Sequence, residues 1–105
     1  MYNLAVEIVR FVDDRQPGWV ACELIDAEGD CHTIVDKVPV LSREDLDATS
    51  GYPRPGATRC EVLDRWRDAL GRELARITLA RPDGLESTDG FSEFVVLSTQ
   101  LSAGI

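Results

Sequence analysis

The chain is built from short segments in which apolar and polar residues alternate, and a turn signal stops each segment. That rhythm limits the fold more than any other feature. A period of two marks half-buried strands, and hairpin-length interruptions make them antiparallel. The first segment, about Leu4–Val12, sets Leu4, Val6 and Ile8 on one face and ends at "DDRQPG". The second, Trp19–Asp26, is apolar on both faces, which predicts a strand covered on both sides or locally bulged. "DAEGD" follows, with Gly29 where a three-residue hairpin needs the left-handed conformation. The third strand then runs from about Cys31 to Val38. If Asp26 lies opposite Asp30, then Leu24 opposes His32, Cys22 opposes Ile34 and Ile25 opposes Cys31. Cys22 and Cys31 then point to opposite faces and form no disulfide.

Three more segments complete the pattern. The fourth, about Ala57–Trp66, sets Cys60 and Val62 on one face and Arg59, Glu61 and Arg65 on the other, with Leu63 out of phase. The fifth, about Glu73–Ala80, turns Ala75, Ile77 and Leu79 inward and Arg76 and Thr78 outward. The last is about Phe91–Leu97. "RDALGR", "RPDG" and "TDG" are the turns between them. The long connection "VLSREDLDATSGYPRPG" carries Ser42 as an N-cap, with Leu41 and Leu46 placed as a hydrophobic staple. It predicts one helical turn at 43–47. The expected fold is all-β: a small five- or six-stranded antiparallel barrel (or sandwich) with one short helical turn, in a single domain over 1–105. Closure is favoured because it removes exposed strand edges.

Length and composition agree with one domain. No apolar run approaches the ~18 residues of a membrane span. The opening "MYNLAVEIVRFVDD" reads as a strand and not as a signal peptide, so the cytoplasm is the expected compartment. Three cysteines, an odd number, argue against a disulfide framework and read as small core hydrophobes. The net charge is −8, which repels nucleic acid and anionic membranes on average. The charge is unevenly spread. Residues 1–53 hold four basic and eleven acidic residues, residues 54–81 seven arginines and four acids, and residues 82–105 four acids and no base.

Few residues invite chemistry. His32 is the only histidine, and the hairpin register brings Cys22 and Asp26 within diagonal reach of it, a conceivable nucleophile–base–orienter set. No catalytic signature surrounds these residues, and a structural histidine beside a turn next to buried thiols is the better explanation. Cys22, Cys31, His32 and Cys60 lack the close pairs of a zinc site. "DAEGD" lacks the spacing of a calcium loop. The chain reads as a non-enzyme without a cofactor.

Two contact surfaces remain. The loop "SGYPRPGAT" is stiffened by Pro53 and Pro55, and it either presents Tyr52 and Arg54 to a partner or serves as a rigid crossover. Asp13, Asp14, Glu28 and Asp30 lie in loops and could supply the field of an acidic, immunity-type inhibitor that covers a basic protein surface. The leading expectation is therefore a protein-binding module. The alternative is a nucleic-acid- or ribosome-associated barrel, which uses a basic strip of Arg59, Arg65 and Arg76. Cross-strand ion pairs with Glu61 and Glu73 would explain the same arginines.

"QPGWVACELIDAEGDCHTIVDKVPV", "YPRPGATRCEVLDRW" and "FVVL" together resemble small uncharacterised bacterial proteins of about this length. The resemblance covers most of the chain and implies no activity.

Overall fold

Alternation becomes seven strands in the computed structural model, which describes residues 1–103. They are β1 (Tyr2–Asp13), β2 (Trp19–Ile25), β3 (Cys31–Lys37), β4 (Arg54–Arg67), β5 (Glu73–Thr78), β6 (Glu93–Leu97) and β7 (Leu101–Ala103). One helical turn, α1 (Val38–Leu41), follows β3. All pairings are antiparallel, and the sheet order is β3-β2-β1-β4-β5-β6, with β7 returning to β1. The sheet curls into a half-barrel. The Ala27 N–H donates to the Val95 carbonyl, and the Thr88 N–H to that of Thr33, each at 2.8 Å. These bonds draw the β2–β3 hairpin and the β6 side together. The core lies inside the curl, where Leu4, Ile8, Val20, Cys22, Leu24, Ile34, Ile77 and Val96 are fully buried. No helix among the described residues is long and apolar enough to cross a membrane.

The β2–β3 register is the one expected: Cys22 faces Ile34, Leu24 faces His32 and Ile25 faces Cys31. The turn follows the glycine-bulge scheme. The Gly29 N–H donates to the Asp26 carbonyl, the Asp26 N–H donates to that of Asp30, and Gly29 has φ +86°. The same bonds recur in the turns Asp68–Arg72 and Ser87–Phe91, with Gly71 and Gly90 in the left-handed position. The turn at "RPDG" is wider than the sequence suggested. It closes from the Gly84 N–H to the Ala80 carbonyl.

Three expectations need correction. The helical turn is at Val38–Leu41 and not at 43–47. Pro39 sits in its first turn, where the missing N–H costs nothing. Ser42 ends the helix instead of starting one, and its hydroxyl accepts the Glu44 N–H at 3.0 Å. Secondly, Cys31 is exposed; only Cys22 and Cys60 are buried. The third concerns Leu63. It is the extra residue of a bulge, since Val62 faces Ile77 and Asp64 faces Arg76. The bulge reverses the alternation beyond it, so Arg65 stands opposite the buried Ala75 and not on the face of Arg59.

Candidate binding groove

An open groove of about 550 Å³ lies beside the first half of β4. Its lining comes from four places. The start of β1 contributes Met1 and Asn3, the α1 turn and its exit contribute Val40, Arg43 and Glu44, and β4 contributes Pro55, Gly56, Ala57 and Arg59. Asp83, from the turn after β5, closes one end. The groove exists because β4 changes partner along its length. Residues Arg54–Cys60 pair with β1, and β5 pairs only with Glu61–Arg67. β5 leaves the edge beside the first stretch vacant, and α1 packs against the core-side face of that stretch at Gly56. Gly56 permits that approach. A Cβ there would lie 2.7 Å from the Ile8 side chain and 2.8 Å from the Leu41 carbonyl oxygen.

The groove mixes apolar and charged groups. Arg59 is gripped by Asp83, with Nε–Oδ2 3.1 Å and Nη2–Oδ1 2.5 Å, which raises the guanidinium above its ordinary pKa. Arg43 is exposed and has no carboxylate partner among the described residues.

The 44–54 loop binds itself. The Tyr52 hydroxyl donates to the Asp47 carbonyl at 2.7 Å, and its ring packs against the core. Arg54 donates to the Ser50 carbonyl at 2.7 Å and to Glu44 Oε2 at 2.5 Å, while its Nε is buried without a partner. Asp47 accepts from the hydroxyl and the N–H of Thr49, bonds that hold its carboxyl below the usual range. Leu41 and Leu46 plug the core beneath this loop. Tyr52 and Arg54 thus brace the loop's own backbone, and neither lines the groove.

The four loop acids are not brought together. Asp13 and Asp14 lie before β2, and Glu28 and Asp30 lie after it, about 20 Å of strand apart. Asp13 is bound to Arg15, which lowers its pKa, and Glu28 lies 4.0 Å from Arg72. The basic strip is also dispersed. Arg76 pairs with Glu93 at 2.9 Å, and Arg65 lies over the Tyr2 ring, 5.1 Å from its centroid. Neighbouring Arg67 and Arg81 pair with Glu73 and Glu61.

Part of the histidine cluster assembles. His32 Nε2 lies 2.8 Å from Asp26 Oδ2, and the ring packs on Phe94 with centroids 4.7 Å apart. Burial pushes the Asp26 carboxyl up, but bonds from His32 and the N–H groups of Asp30 and Glu28 outweigh it and leave the pKa lowered. Cys22 makes no hydrogen bond to His32, and burial pushes its thiol up to about 12. The exposed Cys31 thiol donates to Glu23 at 2.7 Å, and that bond raises it to about 11. Both cysteines stay protonated near neutral pH, so neither is primed as a nucleophile. Among the described residues no group of three or more His, Cys, Asp or Glu is placed to hold a metal.

The alternation of the sequence does not reveal the groove. Its signal was Pro55: proline within a strand marks an edge with its N side unpaired. Comparison with protein-family models, curated proteins and solved structures gives no match.

Proposed function

We propose that the chain is a protein-binding module and that its contact surface is the groove beside β4. The observation that carries this reading is the lining: exposed Met1, Pro55 and Ala57 alternate with Asn3, Arg43 and Glu44 in one hollow. Apolar contacts bounded by a few polar anchors suit a polypeptide. The pairing of the arginines supports the choice over nucleic acid. Seven of the ten lie within 4.0 Å of a carboxylate among the described residues, so little cationic field is left on a chain of net charge −8. On this reading the groove, and not the divided acids Asp13, Asp14, Glu28 and Asp30, makes the main contact.

A tagged pull-down from native cells, with and without nuclease, tests the reading. The expected result is one protein enriched in both samples and weakened by Arg43→Glu. Recovery of ribosomal or nucleic-acid proteins that disappears with nuclease would contradict it and favour the nucleic-acid-associated alternative.

A further inference from the structure

We infer that the groove receives an extended polypeptide segment, which adds a strand to the free edge of β4 and sets a carboxylate side chain against Arg43. This rests on the protein-binding reading and specifies the form of the partner.

Pro55 stands opposite Glu7 in the β1–β4 register. Along an antiparallel pair, residues that exchange both backbone bonds alternate with residues that exchange none. Proline has no N–H to exchange. Glu7–Pro55 is therefore a non-exchanging pair, and Ile8–Arg54, Val6–Gly56, Leu4–Thr58 and Tyr2–Cys60 are the exchanging ones. It follows that the backbone groups of Pro55, Ala57 and Arg59 point away from β1. On that side β5 begins only at Glu61. Among the described residues no turn or loop backbone bonds to them, and the one contact is the Thr58 hydroxyl on the Arg59 carbonyl at 3.4 Å. The N–H of Ala57, the N–H of Arg59 and the carbonyls of Pro55 and Ala57 are left open, in a groove lined by these same residues.

An incoming antiparallel strand would exchange both bonds with Ala57 and receive the Arg59 N–H, with the proline ending the match. Charge selects its side chains. Of the two arginines in the groove, Arg59 is neutralised by Asp83 and Arg43 is not. An acidic side chain on the incoming strand complements Arg43. A second copy of this chain would instead bring one net charge of −8 against another.

The test is selection of a displayed random heptapeptide library on the full chain, followed by affinity measurement on two variants. Ala57→Pro removes one of the two edge donors and leaves the β1 bonds in place. Arg43→Glu reverses the selecting charge. The expected peptides carry an acid at one fixed position. Each variant weakens them by more than about tenfold, and exchanging that acid for lysine restores binding to Arg43→Glu. On the unaltered protein, the peptide slows amide exchange at Ala57 and Arg59, which keeps the test independent of how well Ala57→Pro folds. Failure to enrich any peptide overturns the inference. So does a peptide that leaves those two amides unchanged. If a nuclease-resistant partner is nevertheless recovered from cells, only the strand-addition mode has failed; loss of that partner on nuclease treatment removes the protein-binding reading as well.

Discussion

From Arg54 to Cys60, β4 lies against β1, buries Thr58 and Cys60, and leaves its second edge to the groove. From Glu61 to Arg67 the same strand lies against β5, carries a bulge, and turns mostly charged side chains to solvent. The second half and β5 hold Arg65 and Arg76, two of the three arginines of the expected basic strip, yet Arg65 lies over the Tyr2 ring and Arg76 is tied to Glu93, while the third, Arg59, is tied to Asp83. The first half holds little charge but has unpartnered backbone. Density of charge in a sequence is thus a poor guide to contact when opposite charges lie across the strand. On the proposed reading, unpaired main chain is the better one.

The sharpest way to break this contrast is at Gly56. Adding a methyl group forces Ile8 or the Leu41 backbone to shift. Gly56→Ala is expected to cost about 1–3 kcal/mol of stability, measured by urea unfolding, because the core there has no slack. A neutral result would mean that α1 does not press on β4.

Acid should loosen the second half first. Asp68 holds the β4–β5 turn, and its pKa is lowered by bonds from the Arg72 N–H and guanidinium. A carboxyl lowered on folding stabilises above its unfolded pKa of about 3.9 and loses that contribution as pH falls through the folded value. Amides of Gly71 and Arg72 should therefore exchange faster, relative to Gly56 and Thr58, below about pH 4. Asp68→Asn should flatten that dependence. The β2–β3 turn offers a parallel case, since Asp26 meets its own turn N–H groups in the same way but gives its second oxygen to His32.

The smallest effect is expected at Arg76. Its ion pair with Glu93 is exposed on both sides, so Arg76→Ala should change stability by less than about 1 kcal/mol. It should also leave retention on RNA unchanged. A marked fall in RNA retention would revive the basic strip.

Much of the fold was legible because hairpins are local. "DAEGD" fixed the β2–β3 register residue by residue, and the six long strands followed from alternation. What escaped depended on tertiary context. A serine three residues before an acid serves a helix start or, as at Ser42, a turn after a helix; Pro39 was the deciding residue. Leu63, out of phase on a polar face, was already the mark of the bulge that diverts Arg65. Pro55 was read as lying before the strand, although proline is tolerated on an edge. β7 is three residues long and has no alternation to detect.

The central claim is that the first half of β4 keeps one edge of its backbone open. Residue-resolved hydrogen exchange of the free protein by NMR tests it most directly. The account predicts slow exchange at Gly56, Thr58 and Cys60, whose N–H groups bond to β1, and exchange at Ala57 and Arg59 faster by more than about tenfold. Equal protection along all five residues would contradict it, because Ala57 and Arg59 would then already have partners.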